Sequence, residues 1–417
     1  MSFKFLRENV RICPRRLVAV TILASGTLAW GFLTFAYFEE IFKSIAADLF
    51  WVNVGKALFL SFGAFSAIFG SMISGKIKSR RFLGAWITLG VLATASLALF
   101  QGIFFCLLSG ALLGISLGLG YPCCFSFLAD YAVVEERGRV SGTIILEAFA
   151  MLALASIAVS IFSFGLIGIV LLFVGVRSTS YLALILDPCH QKKVKTSSWK
   201  KTFEHRNFIL YLVPWIMFNI ASGLIAFVWW WVFLSPNYPD YEGAFAIGNT
   251  LHFLMPGVFG FLSGIAADRF GRKQPIILGM VMLGVSFAFL GLYTSPLSVF
   301  VYLIISGIAW GFLAVVYTAV PGDLSSAESK EKLYALSTII PLIIYMSIPG
   351  LADFFGAGIP ASPLSAILSM IIFVSVIPVL YASETLPEIK IRERRLKEHI
   401  KKIREVVEET KKDQLNS

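Results

Sequence analysis

The chain has 417 residues, of which 57% are hydrophobic and only 14% are charged. A soluble domain carries about 25% charged residues, so this composition excludes a soluble enzyme, a nucleic-acid binder and a disordered chain. The formal net charge of +10 therefore needs another explanation. The five cysteines have neither disulfide nor metal-ligand spacing, so we expect no metal and no cofactor.

Twelve apolar runs are each long enough to cross a bilayer as a helix. The hydrocarbon core is about 30 Å thick and needs about 20 residues of helix, whose backbone hydrogen bonds are satisfied internally. In chain order the predicted spans cover residues 17–38, 53–74, 82–100, 104–128, 142–161, 165–186, 208–233, 244–266, 275–293, 298–320, 333–352 and 363–382. The sequence thus predicts an all-α polytopic membrane protein with twelve transmembrane helices.

Lysine and arginine residues lie almost entirely on one side of these spans. If both termini are placed in the cytosol, all but three of the 35 cationic residues fall on the inner side, the exceptions being Lys43, Lys56 and Arg177. Such a bias is what the positive-inside rule describes. We therefore expect a multi-pass protein of the cell membrane with cytosolic N- and C-termini, and the same bias accounts for the net charge.

A long polar segment after the sixth span divides the chain into two halves. We predict an N-terminal six-helix bundle over 1–186, a cytosolic basic linker over 187–207, a C-terminal six-helix bundle over 208–383 and a charged cytosolic helix over 384–417. Four apolar residues at 4-3-4 spacing make that last helix amphipathic: Leu396, Ile400, Ile403 and Val407. It could lie on lipid, pair with another tail or be merely solvated.

Short patterns recur in the two halves at offsets of 189 to 197 residues. Three first-half patterns have a counterpart in the second half. Gly75 and Gly90 correspond to Gly264 and Gly279, Ser109-Gly110 and Gly114 correspond to Ser306-Gly307 and Gly311, and Asp130 and Arg137 correspond to Asp323 and Lys330. Repeated halves are typical of transporters whose substrate site lies near the bilayer midplane, between the halves.

The loop after the eighth span reads Gly264-Ile-Ala-Ala-Asp268-Arg269-Phe-Gly271-Arg272-Lys273. It resembles the G-x-x-x-D-R-x-G-R-K/R signature of the major facilitator superfamily. The first-half copy, Gly75-Lys-Ile-Lys-Ser79-Arg80-Arg81, has Ser79 where the family has an acid. The resemblance implies two pseudo-symmetric six-helix bundles that rock around a midplane cavity.

Two further segments are similar to this family. Asp130-Tyr-Ala-Val-Val-Glu-Glu-Arg137-Gly138-Arg139 resembles its acid-x6-R-G segment, and Ser383-Glu-Thr-Leu-Pro387 resembles the exit from its last helix. The resemblance covers about residues 15–388. No substrate class follows from it, because the fifth span lacks the Gly-Pro pattern of drug antiporters and Gly110 stands where many members have a basic residue.

The resemblance also implies a gate at the cytosolic ends of the helices. Asp268 can face helix N-termini, which carry partial positive charge, and Arg269 and Arg272 can pair with Asp130, Asp323 or neighbouring carbonyl oxygens. The candidate gate residues are Gly264, Asp268, Arg269, Gly271, Arg272, Asp130, Arg137, Asp323, Lys330, Arg80 and Arg81. The alternative is that these charges are solvated anchors, which applies most to Arg80 and Arg81 because Ser79 removes the acid.

Ionisable residues inside spans are costly and are candidates for function. Glu147 lies in the fifth span and Arg177 in the sixth. Both lie in the cytosolic half of the bilayer, at depths similar enough for their long side chains to meet. We predict that Glu147 exchanges a proton during turnover and that Arg177 assists it or contacts substrate. The alternatives are a structural Glu147–Arg177 pair, or a Glu147 side chain that extends to the headgroups.

Polar and aromatic residues on the first, fourth, seventh and tenth helices are candidates for the substrate cavity, because the family lines its cavity with these helices. Two residues of the eighth helix, three apart, share a face and are added to them. The candidates are Trp30, Trp215, Asn219, Trp310 and Tyr317, with Asn249 and His252. Each could instead be ordinary packing. Trp229, Trp230 and Trp231 are expected to anchor the outer interface.

These observations predict a transporter of a small organic solute, working by alternating access, as a monomer in the lipid bilayer and with protons as a possible second substrate. The alternatives are an uncoupled facilitator and a membrane sensor or scaffold that does not transport. A polytopic enzyme is disfavoured because the sequence contains no H-x4-D, G-x-S-x-G or H-E-x-x-H motif.

Overall fold

A computed structural model describes most of the chain. The described residues are 12–46, 48–74, 79–99, 102–187, 199, 202, 205–228, 241–292, 295–326, 328–355, 361–387, 392–393, 396, 400 and 403. Within these residues the regular structure is helical and contains no strand. Trp229, Trp230, Trp231 and Val407 lie outside the described residues, as do most of the predicted linker and tail.

The described residues of the first half form eight helices. They are α1 (Pro14–Ala36), α2 (Phe38–Ala46), α3 (Leu49–Ile73), α4 (Ser79–Leu99), α5 (Ile103–Tyr131), α6 (Val134–Phe162), α7 (Leu166–Ser178) and α8 (Ser180–Leu186). The sixth predicted span is α7 and α8 together, interrupted at Thr179. The short helix α2 was not predicted; it carries an ion pair between Lys43 and Glu39 at 2.6 Å.

The second half contributes seven helices to the described residues. They are α9 (Arg206–Val228), α10 (Tyr241–Phe270), α11 (Lys273–Leu292), α12 (Pro296–Asp323), α13 (Lys330–Phe355), α14 (Ala361–Val374) and α15 (Ile377–Tyr381). The helices α14 and α15 together form the twelfth predicted span. By length and composition, the described residues include 11 candidate membrane spans. Because α13 covers the remaining predicted span, 333–352, the all-α polytopic fold is confirmed.

Glycines in corresponding helices let neighbouring backbones come close. A Cβ added to Gly110 of α5 would lie 2.6 Å from the carbonyl oxygen of Gly55 in α3. A Cβ added to Gly307 of α12 would lie 2.8 Å from the carbonyl oxygen of His252 in α10. Small residues at such crossings allow the close packing that holds helices together in lipid. The pattern that recurs in the two halves of the sequence therefore makes equivalent helix–helix contacts.

The two most extensive helix–helix contacts between the halves involve α6 with α10 and α3 with α13. In the first pair, α6 packs on α10, with Gly138 and Gly142 facing Gly264 and Gly260; we call this the α6–α10 seam. In the second pair, α3 packs on α13, where Ala64 and Ala67 cluster with Ala335 and Ile339; we call this the α3–α13 seam. The charged residues of the candidate site lie at one end of these two seams.

Candidate functional site

Asp268, in the last turn of α10, binds the beginning of α6. Its Oδ1 accepts from the Gly138 amide at 2.9 Å, and its Oδ2 accepts from the Arg139 amide at 2.9 Å and from Arg139 Nε at 3.1 Å. The carboxylate is 1% exposed. A helix N-terminus carries partial positive charge, so this acid is stabilised by both the backbone and the arginine of the other half.

Asp323, at the end of α12, is the second buried acid of the cluster. Its Oδ1 accepts from Arg137 Nη1 at 2.6 Å, and its Oδ2 accepts from Arg272 Nε at 2.8 Å and from Thr385 Oγ1 at 3.0 Å. Its side chain is fully buried. Arg137 also donates to the carbonyl oxygens of Ala129 and Ala132, which fixes its guanidinium in place.

Arg272 connects the two acids. Besides Asp323, it donates from Nη1 to Asp268 Oδ1 at 2.7 Å and from Nη2 to the carbonyl oxygen of Val134 at 2.6 Å. Burial lowers the pKa of this guanidinium, but Asp323 and Asp268 raise it by more, so the net pKa lies above the ordinary value. Arg272 therefore stays charged, and each buried charge in the cluster is compensated.

Glu384, just after α15, fixes the turn that carries Arg272. Its carboxylate accepts from the amides of Arg272 at 2.7 Å and Lys273 at 3.2 Å, at the start of α11. Gly271 has a φ of 100°, and a Cβ there would collide with the Glu384 carboxylate. Only glycine can adopt this positive φ without strain and also leave room for the Glu384 carboxylate.

The two halves exchange ion pairs reciprocally at this end of the molecule. Arg137 of the first half pairs with Asp323 of the second, and Lys330 of the second half pairs with Asp130 of the first. These are the two acid–base sets that recur in the sequence, each with a spacing of seven residues. In both sets the base bonds to the acid of the opposite half.

The other predicted gate residues are placed differently. The side chains of Arg80 and Arg81, at the start of α4, are exposed, and no ion pair in the described part of the chain includes them. Arg269 lies in the last turn of α10, next to Asp268. The first-half copy of the motif thus has no counterpart of the buried Asp268 cluster, in keeping with Ser79 in place of an acid.

Glu147 and Arg177 do not form the structural pair that the sequence allows as one alternative. Arg177 is fully buried, donates to Thr27 Oγ1 at 3.0 Å, and has its guanidinium carbon 4.9 Å from the Trp30 ring centre and 4.1 Å from that of Trp86. Glu147 instead lies beside the α1 hydroxyls of Thr21 and Ser25. The reason is geometric, because α1 packs between α6 and the α7–α8 pair.

Three aromatic rings meet where α1, α6 and α12 come together. The Trp310 ring lies 5.6 Å from Phe32 and 5.2 Å from Phe149, both edge-on. Trp310 belongs to the second half, and the two phenylalanines belong to the first. Edge-to-face pairs of this kind add to the burial of the rings themselves. This cluster places one predicted cavity residue, Trp310, at the contact between the halves.

Three further cavity candidates lie together in the second half. The Trp215 ring is 4.5 Å from that of Tyr317, and its Nε1 donates to the carbonyl oxygen of Ser337 at 3.1 Å. Asn219 is 3% exposed and donates to the carbonyl oxygen of Trp215 in its own helix at 2.7 Å. The Tyr317 hydroxyl is buried and has no hydrogen-bond partner among the described residues.

The remaining candidates bond within their own half. Trp30 is fully buried, and its Nε1 donates to Thr94 Oγ1 at 2.9 Å, so it packs inside the first bundle. His252 Nδ1 lies 3.0 Å from the carbonyl oxygen of Leu303 and 3.1 Å from Ser306 Oγ. Asn249 is in α10, but its side chain lies outside the described residues.

The sequence analysis missed three participants in the charge cluster: Arg139, Glu384 and Thr385. All three lie inside segments already recognised as motifs, so their positions were a usable signal. Among the residues the structure describes, no group of three or more His, Cys, Asp or Glu could hold a metal ion.

Comparisons with known proteins agree with this architecture. Residues 242–410 match the sequence model of the Major Facilitator Superfamily. The crystal structure of the human organic anion transporter MFSD10 (TETRAN) matches with a TM-score of 0.70, at 13% identity, over 88% of this chain and 100% of that chain. At that identity the likeness shows the fold alone. A search of curated proteins finds no match. The chain is thus an all-α, multi-pass membrane protein whose residues 242–410 match the Major Facilitator Superfamily and whose fold is that of this solved transporter.

Proposed function

We propose that the chain is a secondary transporter that moves a small organic solute by alternating access. The moving bodies are the bundles 1–186 and 208–383, which rock around a site between them. The observation that carries the proposal is the buried charge cluster built from both halves. Rocking would separate Arg137 from Asp323 and Asp268 from the start of α6, so the cluster is a contact that can be made in one state and broken in the other.

The positive-inside bias supports placing the cluster on the cytosolic side. The chain then lies in the cell membrane with both termini cytosolic, and the described arrangement corresponds to a state that is closed to the cytosol. One chain supplies both bundles, so the transporter works as a monomer.

An aromatic centre favours a solute with apolar surface. Trp310, Phe32 and Phe149 lie at the contact between the halves, and Trp215 with Tyr317 lies nearby in the second half. Concave sites lined by rings with a few polar groups bind organic molecules. Lys56 of α3 carries a positive charge, and its Nζ lies 4.9 Å from the centre of the Phe35 ring. This charge makes an organic anion the first class of solute to test.

Coupling to protons is assigned to Glu147. It is the acidic residue among the charged side chains of the twelve predicted spans, the others being Lys56 and Arg177. Among the described residues its Oε2 has no hydrogen-bond partner, whereas its surroundings include the hydroxyls of Thr21 and Ser25. A carboxyl group placed among hydroxyls can take up and release a proton without losing an ion-pair partner.

Uptake into proteoliposomes tests these proposals. Transport of any organic solute from a panel of anions, cations and neutral compounds excludes a sensor or scaffold. Acceleration by an imposed pH gradient separates a coupled transporter from a facilitator. Asp268→Asn is expected to slow uptake without reducing membrane insertion, and unchanged kinetics would contradict the gate. Failure to transport or bind any compound of the panel would contradict the function itself.

A further inference from the structure

A guanidinium group is buried inside the first bundle without a counter-charge. Arg177 of α7 is fully buried, and no ion pair in the described part of the chain includes it. The ionisable groups that act on it are Cys124 and Tyr181, a thiol and a phenol, which carry no charge in water at neutral pH. A buried charge without a counter-charge is costly in a membrane protein. An anion beside Arg177 would remove that cost.

The contacts of Arg177 leave one edge of its guanidinium group unused. Nη1 donates to Thr27 Oγ1 of α1 at 3.0 Å. The guanidinium carbon lies over the rings of Trp30 and Trp86, at 4.9 and 4.1 Å from the ring centres. The other two nitrogens, Nε and Nη2, are buried and have no hydrogen-bond partner among the described residues. An edge of this planar group can bind an anion through two parallel N–H bonds.

A serine hydroxyl lies beside the same edge. Ser116 Oγ, in α5, is buried and also lacks a hydrogen-bond partner within the described part of the chain. A Cβ added to Gly90 of α4 would lie 2.5 Å from Arg177 Nε and 2.6 Å from Ser116 Oγ, so both polar atoms border the same glycine. Buried polar groups in proteins are nearly always hydrogen-bonded. Three such atoms side by side therefore indicate a shared partner.

The two tryptophans enclose this place and keep their own donors elsewhere. Trp30 Nε1 donates to Thr94 Oγ1, and Trp86 Nε1 donates to the carbonyl oxygen of Ser116. Their side chains are 0% and 1% exposed. A site enclosed in this way suits a small ion and not an organic solute.

We propose that Arg177 and Ser116 bind a small monovalent anion, of the size of chloride, inside the first bundle. The N–H groups at Nε and Nη2 and the Ser116 hydroxyl donate to the anion, whose charge neutralises the guanidinium group. Because the site joins α1, α4, α5 and α7, the anion stabilises the first bundle as one body. The inference goes beyond the proposed transport, since it requires neither a solute nor a movement of the halves.

Thermal unfolding in chloride tests the site on the purified, full-length protein. The protein is kept in sodium gluconate, whose anion is too large for an enclosed site, and chloride then replaces gluconate at constant ionic strength. A ligand that binds the folded protein alone raises its stability by mass action. The melting temperature is expected to rise in a saturable way, by about 5 °C at saturating chloride.

Three variants assign this effect to the site. Arg177→Met keeps the length of the side chain and removes its charge, so chloride should no longer shift the melting temperature. Ser116→Ala removes one donor and should raise the half-saturating chloride concentration about tenfold. Ser126→Ala, in the same helix, is the matched control and should respond as the parent does, because the Ser126 hydroxyl donates to the carbonyl oxygen of Cys123.

The pattern across the variants decides the question. A saturable rise in the parent and in Ser126→Ala that is lost in Arg177→Met and weakened in Ser116→Ala supports the site. No saturable rise in the parent, or an equal rise in Arg177→Met, overturns it. If Arg177→Met does not fold, equal half-saturating concentrations for Ser116→Ala and Ser126→Ala overturn the site. Transport is not measured, so either result leaves the proposed function as it stands.

Discussion

Arg137 and Asp323 lie 186 residues apart in the sequence and form a 2.6 Å ion pair between the two halves of the chain. The mirror pair, Lys330 with Asp130, joins the same halves in the opposite sense. The two pairs differ in their surroundings. The side chains of Arg137 and Asp323 are 5% and 0% exposed, whereas those of Lys330 and Asp130 are 11% and 30% exposed.

That difference in exposure predicts the order in which three substitutions lower the melting temperature. Asp323→Asn should lower the melting temperature most, because it leaves both Arg137 and Arg272 without a carboxylate they bond to. Arg137→Gln should lower the melting temperature less, because Arg272 still neutralises Asp323. Lys330→Gln should lower the melting temperature least, because its partner Asp130 is partly exposed to water, whereas breaking a fully buried pair costs about 3–5 kcal/mol. Thermal unfolding of the purified variants checks the order, and an equal or larger loss for Lys330→Gln would contradict it.

Replacing Glu147 separates coupling from transport. Glu147→Gln keeps the shape of the side chain but cannot release a proton, so accumulation driven by a pH gradient should disappear while solute exchange persists. Glu135→Gln, in the first turn of the same helix, is the matched control and should keep both activities. Accumulation measured in proteoliposomes with and without a pH gradient decides the matter. Gradient-driven accumulation by Glu147→Gln at the normal rate would exclude this residue as the coupling site.

The close approach of α6 and α10 depends on Gly264. A Cβ there would collide with the backbone carbonyl of Gly138 and would lie 3.1 Å from Gly142 Cα. Backbone cannot yield as a flexible side chain can, so Gly264→Ala should destabilise the closed seam by about 1–3 kcal/mol.

Gly175→Ala is the control for that substitution. Gly175 lies within α7, and an added Cβ would meet nothing within 4 Å. Alanine should therefore be neutral or raise stability, by up to about 1 kcal/mol, because it favours the helix. Melting temperatures of the two variants give the test. A Gly264→Ala protein as stable as Gly175→Ala would show that the seam is looser than the glycine contacts indicate.

Glu331 gives the chain a specific pH response. It precedes the predicted span 333–352, and burial raises its pKa above the ordinary 4.5 by more than Ser74 and Lys330 lower it. The folded protein therefore holds this proton more tightly than the unfolded chain does. Stability contributed in this way is present below pH 4.5 and is lost as the pH rises through the folded pKa.

Glu331→Gln removes this pH dependence. At neutral pH the variant should be more stable than the parent, and the two should converge as the pH falls to 4.5. Melting temperatures across that range measure the difference. A variant less stable than the parent at neutral pH would show that the Glu331 carboxylate is stabilised where it lies.

Much of the architecture could be predicted because it depends on local properties of the chain. Lipid requires helices of a given length, so the spans that became α1 and α3 to α15 are visible in the hydropathy. The helix α2 is too short and too charged to give that signal. The motif residues Asp268 and Arg272 were also predicted, because their spacing within one loop is itself the pattern.

Which side chains contact one another was decided by the tertiary structure alone. The sequence allowed Arg272 to reach Asp130 or Asp323, and the fold brings it to Asp323. It allowed Glu147 to meet Arg177, but α1 lies between them and Arg177 stacks on two tryptophans instead. Nothing in the linker sequence indicated that the Trp199 ring would lie 5.3 Å from Lys332 Nζ. Hydropathy and charge bias are sums over neighbouring residues, whereas these contacts depend on how helices hundreds of residues apart are rotated and packed.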